Sequence, residues 1–355
     1  MSSLSFAVMT PATQFGDIMS PYRESWGKEH VSSLRLANKI MNNELTFDST
    51  VQRPKKSLKD RFKRFIKKNA IGYLFLAPFV LLFTLFTVIP VGYAFYLSFT
   101  NFNMLQSATW AGVDNYRLLF LDDSVFITAI GNTLTFSIIV GPTGYLLSFF
   151  AAWVINQLKA KRLFALAFYA PSITSGIAMT TVWMVAFASD RQGYINNFLI
   201  NMGLIDQPIL WNTDPNYIMT VIIIIQLWMS MGNGFLVFLA GLQNVDHSLY
   251  EAGAIDGVKN KFQELFYITL PSMKPQLLFG AINSIVSSFG VFEIATQVAG
   301  MPSPQYAGHT IVAHLYDYAF IRFQMGYASA VAVVLFVITF VLGKVVMKLL
   351  SSKDE

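Results

Sequence analysis

The chain has 355 residues, 54% of them apolar and only 13% charged. A soluble domain carries about a quarter charged residues, so this composition excludes an ordinary water-soluble globule and implies a surface that faces lipid. The net charge of +5 gathers in a run of nine Lys/Arg between Arg53 and Lys68, with no separate basic domain and no interleaved aromatic platform, which excludes a nucleic-acid binder.

In chain order, residues 1–56 are polar, lack helical periodicity and a cleavable leader pattern, and read as a flexible tail on the cytoplasmic side. Residues 57–69 place Leu58, Phe62, Phe65 and Ile66 on one face with basic residues around them, the pattern of an interfacial helix on an anionic leaflet or of a plain basic anchor. The body of the chain, 70–350, then carries six apolar stretches near 71–99, 126–156, 163–188, 216–243, 276–297 and 326–349. A hydrocarbon core of about 30 Å needs about 20 apolar residues as helix, and backbone in lipid must satisfy its own hydrogen bonds. The fold class is therefore all-α integral membrane, with six transmembrane helices.

Orientation follows from basic residues, which favour the cytoplasmic side. With both termini inside, 22 of the 25 Lys/Arg are cytoplasmic, and only Arg117, Arg191 and Arg322 fall outside. Residues 351–355 form a short cytoplasmic tail. The absence of cysteine excludes a disulfide framework and a thiolate metal site. His30, His247, His309 and His314 lack the i, i+4 spacing of a helical zinc pair and read as structural or surface groups. No outer loop is long enough to fold as a domain with its own core, so capture of a dilute external solute falls to another chain.

The segment 244–275, between the fourth and fifth spans, is too long for a plain hairpin and has no nucleophile–base or metal set. LYEAGAI reads as one helix and KFQELFYI as a second ending at Leu270-Pro271, with the break at Asp256-Gly257, where glycine supplies a positive φ. Two short helices about a glycine fit a partner surface. Here Glu251-Ala252-Gly253, Gly257 and Ile268-Thr269-Leu270-Pro271 resemble the cytoplasmic signature E-A-A, three residues, G, nine residues, I-x-L-P of permease subunits of ATP-binding-cassette importers. Two departures stand out: Gly253 replaces the third alanine, and ten residues separate Gly257 from Ile268, an excess expected to lengthen or bulge the start of the second helix. WAGVDNYRLLF (110–120), Asn132-Thr133-Leu134, AGLQNV and GYASA (326–330) also resemble carbohydrate-type permeases, of the maltose and glycerol-phosphate-like branch.

The resemblance implies a type I importer permease fold in the bacterial cytoplasmic (inner) membrane, importing a sugar or oligosaccharide. It implies a second homologous permease, two ATPase subunits or domains, an extracytoplasmic solute-binding protein and surrounding lipid as partners. It further implies that Glu251, Ala252, Gly253, Asp256, Gly257, Ile268, Leu270 and Pro271 couple the chain to the ATPase, with Glu251 pairing a basic residue there. The chain lacks G-x-x-x-x-G-K-[ST], so Mg-ATP is expected on the partner, with no cofactor, metal or catalytic residue on this chain.

Polar residues inside spans are costly and face the bundle interior or a cavity. Gln226, Ser230 and Asn233 share a face of the fourth span beside Trp228 and Met229; Asn283, Ser287 and Gly290 share one of the fifth, with Glu293 near its outer end. Amides and carboxylates bond hydroxyls, and aromatic faces stack on sugar C–H surfaces. By position, the resemblance aligns Gln226, Met229, Ser230, Asn233, Phe289 and Gly290 with sugar contacts of the maltose-type permease. Such residues also act as interhelical glue, and Glu293 reads equally as a solute contact or an interfacial group. The rival from another class is an ion-driven secondary transporter, which predicts inverted repeats and intramembrane titratable groups on broken helices.

Overall fold

The computed structural model describes residues 70–351, apart from the side chains of Pro171, Asn233 and Ser351. The expected 1–56 tail, the 57–69 helix and the end of the 351–355 tail lie outside the described residues. The chain forms two compact units, Met1–Pro78 and Phe79–Glu355; in the first, residues 70–78 are helical throughout.

Among the described residues, five helices are long and apolar enough to cross a bilayer: Ala70–Leu97 (α1), Ser124–Asn156 (α2), Pro215–Gln243, Lys274–Ala299 and Met325–Leu350. The stretch expected as a single helix over 163–188 is instead two, Lys161–Ile173 (α3) and Gly176–Ala186 (α4), parted by extended backbone at Thr174 and Ser175. Pro215–Gln243 divides into Pro215–Ser230 (α5) and Asn233–Gln243 (α6). In the following loop lies His247–Ile255 (α7). Lys274–Ala299 likewise divides into Lys274–Phe289 (α8) and Glu293–Ala299 (α9). A short helix, Ile311–Tyr316 (α10), precedes the last, Met325–Ser351 (α11).

The centre of the bundle is α2. Its buried residues, among them Phe126, Ala129, Thr133, Phe136, Val140 and Gly144, recur every three or four positions and make one face. Small residues let neighbours approach that face closely: a Cβ on Gly144 would lie 2.7 Å from Ser230 Oγ, and one on Gly234 would lie 3.1 Å from Ser148 Oγ. One apolar core joins α2 to α5 and α9 through Phe136, Ile218, Ile222, Ile225, Ile294 and Ala295. A second, nearer the lysine-rich end, joins α2 to α6 and the following loop through Phe149, Phe235, Phe238, Leu242, Leu265 and Met273. Along α1, every residue from Phe79 to Tyr93 is exposed, an apolar face that only lipid or another chain can cover.

At the end opposite the lysine-rich one, a third apolar core of Leu119, Phe126, Ala129, Ile311 and Val331 is joined by polar bonds. Residues Thr100–Asn101 (β1) and Thr109–Trp110 (β2) pair antiparallel, and Asn115 Nδ2 donates to the carbonyls of Ser98 and Thr100, both at 2.9 Å. Gly326 N–H bonds the Phe102 carbonyl at 3.0 Å, and a Cβ on Gly326 would stand 2.0 Å from the Thr100 carbonyl oxygen. The glycine of GYASA is thus required by a backbone contact. Gly326→Ala is expected to destabilise the chain by about 3 kcal/mol, the upper end for overpacked positions, visible as a lowered melting temperature in detergent.

Asn132 Nδ2 donates to the carbonyls of Tyr306 and His309 at 2.8 and 2.9 Å, and Thr133 Oγ1 accepts from the Ile311 N–H at 2.9 Å. These bonds bring α10 against the start of α2, where Asp123 caps the helix by accepting from the Phe126 N–H at 2.9 Å. Its other oxygen accepts from Tyr318 at 3.1 Å and Tyr327 at 2.6 Å, and His314 Nε2 lies 3.2 Å from it. His314 and His309 adjoin at 3.3 Å, and both are buried. Burial works against the Asp123 carboxylate, but the bonds from Tyr327 and Phe126, the nearby His314 and the Tyr318 bond hold it below its usual range. Burial pushes the His314 imidazole down to about 4, despite Asp123.

Both groups have folded values below their unfolded ones, so the stability they contribute is full above pH 6.5 and lost on acidification. For His314 the loss runs from about pH 6.5 down through about 4 and reaches up to about 3 kcal/mol at about 1.4 kcal/mol per pH unit. The melting temperature of the purified chain should fall across that window. His314→Asn should flatten the fall; an unchanged slope would contradict the buried neutral imidazole.

Candidate functional site

Three helix interruptions adjoin one another. The Met231–Gly232 turn packs on the end of α3, where a Cβ on Gly232 would lie 2.2 Å from Ser172 Cβ. The start of α4 packs on the start of α9, where a Cβ on Gly176 would lie 2.7 Å from Glu293 Oε2 and 4.0 Å from Met229 Cε. Glycine therefore makes the room in which the Glu293 carboxylate sits, at the first position of α9 after the irregular Phe292 (φ −138°, ψ −62°). Irregular backbone at membrane depth is tolerated where it is buried in protein or lines a cavity.

Beside these breaks is a cavity of about 160 Å³ between α2, α5, α6 and α8. Gln226, Met229 and Ser230 line it from the fourth span, and Asn283, Ser284 and Ser287 from the fifth. Ser230 and Ser287 also bond their own helices, to the carbonyls of Leu227 and Asn283 at 2.8 and 2.6 Å. Sequence reasoning missed the wall supplied by the second span: Gly144, Tyr145 and Ser148. Tyr145 meets Phe238 edge-on at 5.3 Å and closes one side. Nothing in the α2 sequence marks these residues as facing a cavity; the signal lies in contacts across the bundle, Gly144 with Ser230, Tyr145 with Gly280 and Ser148 with Gly234.

The remaining candidates fall elsewhere. Asn233 opens α6, and its side chain is outside the described set. Phe289 is buried and lines a separate apolar groove with Pro142, Ile138 and Leu342. Gly290 is the exposed residue at which α8 ends. Glu293 is exposed beside Gly176.

The loop 244–275 is built by local capping. Asp246 accepts from the Ser248 N–H at 2.9 Å and starts α7; Asn260 accepts from the Gln263 N–H at 2.8 Å and starts the next helix. Gln263 answers by accepting from the Lys259 N–H at 2.8 Å, a reciprocal pair of the capping-box kind. Gly257 has φ +95°, and the Val258 N–H returns to the Gly253 carbonyl at 2.9 Å. Glu251 and Ile255, both exposed, lie i, i+4 on the face turned away from the half-buried Tyr250 and Gly253. Tyr250 Oη meets Thr269 Oγ1 at 3.0 Å and ties the two helices together.

The second helix differs from expectation in two ways. The extra residue bulges not its start but its middle: Lys261–Glu264 is α-helical and Leu265–Thr269 is a π turn. A π turn holds one residue more than an α turn, which absorbs the excess and keeps Leu265 and Thr269 buried. The helix also runs one residue past the expected end at Leu270-Pro271: it closes at Ser272, and the chain leaves it at Met273 (φ −95°, ψ 9°). Gly253 faces Ile268: a Cβ there would be 2.6 Å from Ile268 Cδ1, the flexible end of that side chain.

Broken helices beside one carboxylate would also suit an ion-driven carrier, so geometry alone leaves both readings standing. Residues 144–353 match the family described as binding-protein-dependent transport system inner membrane component. The chain belongs to this family. The importer permease is 32% identical to the arabinooligosaccharides transport system permease protein AraP of Bacillus subtilis, over 81% of this chain and 91% of that one. It is 31% identical to the lactose transport system permease protein LacF of Rhizobium radiobacter, over 79% and 93%. Its fold matches a chain in the crystal structure of a bacterial ABC transporter involved in the import of the acidic polysaccharide alginate, with TM-score 0.70 and 23% identity, over 83% of this permease and 100% of that chain. The permease is a transport component of the inner membrane that works with a binding protein, and the ion-driven alternative falls away.

Proposed function

We propose that the permease translocates a neutral sugar or oligosaccharide, paired with a second homologous permease and driven by two ATPase subunits that dock on 244–275 from the cytoplasm. The observation that carries the sugar is the wall of the cavity: amides of Gln226 and Asn283, hydroxyls of Ser230, Ser284 and Ser287, the ring of Tyr145, and no lysine or arginine among the described lining residues. Such a wall donates and accepts to hydroxyls and offers an aromatic face, whereas a phosphate ester calls for fixed cations. The relatives named for arabino-oligosaccharides and lactose support the same class.

Glu251 and Ile255 present a charge and an apolar knob on the exposed face of α7, the chemistry of a helix seated in a partner's cleft. In this reading Mg-ATP binds the partner, Glu251 pairs a basic group there, and Gly257 permits the turn that sets the two coupling helices. Glu293, held beside Gly176 and close to the cavity-lining Met229, guards the outer mouth of the pathway in the same reading. The test is purification of the tagged chain from its native membrane in mild detergent, with mass spectrometry of what accompanies it and uptake of labelled lactose, maltose and arabinobiose by cells with and without the gene. A Walker-motif ATPase, a second permease and gene-dependent uptake are expected. A chain recovered alone from cells whose sugar uptake ignores its deletion would refute the proposal.

A further inference from the structure

On the lysine-rich side lies a second cleft, larger than the pathway cavity. Its volume is about 580 Å³, within the roughly 300–1,000 Å³ of small-molecule sites. The end of α2 forms one wall with Trp153, Asn156 and Gln157; Gln243 closes the end of the fourth span; the loop contributes His247, Tyr250 and Glu264. The cleft is not an extension of the pathway. Trp153 lies two helical turns, about 12 Å, beyond Tyr145, and the buried Phe149, Phe238, Leu239 and Leu242 fill the space between.

The charges of the cleft nearly cancel. Lys261 Nζ grips both oxygens of Glu264, at 2.7 and 3.0 Å, which leaves Lys161 as the remaining basic side chain among its described walls. An anion site would present several uncommitted cations. Instead, three amides supply donors and acceptors together, and the Trp153 ring is held by Phe262 at 5.4 Å and Phe150 at 6.3 Å. A fixed indole with amides around it is the chemistry that binds a pyranose: its C–H face on the ring, its hydroxyls on the amides.

We propose that this cleft is a second saccharide site, opening to the cytoplasm and bridging the end of α2 to both helices of the coupling loop. It rests on the carbohydrate reading of the permease and adds to it a place where sugar already imported meets the element that ATPases would move. Glu251 and Ile255 are not among the described lining residues of the cleft, although His247, one turn before Glu251 on the same face of α7, is. A sugar bound between α2 and the loop opposes their relative movement, and accumulated sugar slows further import.

The test uses the complete transporter, purified and placed in lipid nanodiscs, with saturation-transfer NMR of lactose, maltose and arabinobiose as probes. Two variants address the cleft: Trp153→Ala, and Gln157→Ala with Gln243→Ala, which removes only exposed amides and keeps the packing. A third, Gln226→Ala with Asn283→Ala, addresses the pathway. Saturation transfer to at least one probe should persist in the pathway variant and fall at least five-fold in both cleft variants, with ATPase recovery unchanged in the amide pair. Transfer that ignores the cleft variants, or that vanishes with the pathway variant alone, overturns the inference while gene-dependent uptake keeps the carbohydrate reading intact. Binding of glycerol 3-phosphate or inorganic phosphate in place of the sugars overturns it as well. Absence of both transfer and uptake removes the two readings together.

Discussion

Gly257→Val combined with Glu251→Lys is expected to cut uptake more than ten-fold while the chain still accumulates in the membrane at close to its normal level. Gly257 holds φ +95°, a region that costs an L-residue about 1–2 kcal/mol and a β-branched one more. Relief comes by rotating the turn, and rotation changes the angle between α7 and the helix that starts at Lys261. No atom lies within 4 Å of where the new Cβ would be, so the defect is one of direction and not of packing. Because the cores are built elsewhere, insertion should survive. Glu251→Lys reverses the charge on the exposed face and opposes pairing with a basic partner, worth several kcal/mol when like charges are juxtaposed across an interface. The measurement is the ratio of co-purified ATPase to permease alongside uptake. A ratio held at the wild-type value with normal uptake would mean that 244–275 is not the docking element. Gly253→Ala is the contrast: its Cβ meets only the flexible tip of Ile268, so a change of less than about two-fold is expected.

The loop was legible because its break is local: Gly257 acts as a positive-φ turn within a few residues of itself. The caps at Asp246 and Asn260 are equally local but went unread in the sequence. The π turn was half legible: one residue too many shows in the count, but where it goes depends on which side chains must reach the core. Leu265 and Thr269 are buried on either end of the bulge, and that is a tertiary fact. The spans were legible by hydropathy, yet hydropathy cannot see a break. Thr174 and Ser175 leave the helix inside an apolar run because Ser172 abuts Gly232 and Gly176 abuts Glu293, contacts between distant parts of the chain. The same holds for Asp123, His309 and His314, whose network closes between the start of α2 and the segment before α11. Phe289 was placed in the pathway by alignment of position; its side chain turns instead toward Pro142 and Leu342, since one step along a helix rotates a residue by about 100°.

Gln226→Leu with Asn283→Leu is expected to raise the KM for uptake by ten- to a hundred-fold with little loss of protein. Both side chains line the cavity and neither has a hydrogen bond described within the protein that leucine would remove. What is lost is the partner of a sugar hydroxyl. Each lost bond to a sugar hydroxyl costs about 0.5–1.5 kcal/mol net, so two come to about 1–3 kcal/mol, a factor of roughly five to a hundred and fifty that brackets the stated range. Gly176→Val reaches the site by another route. Its Cβ would fall 2.7 Å from the Glu293 carboxylate, which must move, although glycine itself offers no side chain to a solute. If Glu293 holds the outer mouth in place, Gly176→Val and Glu293→Ala should reduce uptake alike, and the double variant should be no worse than either alone. Additive losses would instead mean that the carboxylate and the α4 break act independently, and that the room made by Gly176 serves packing alone.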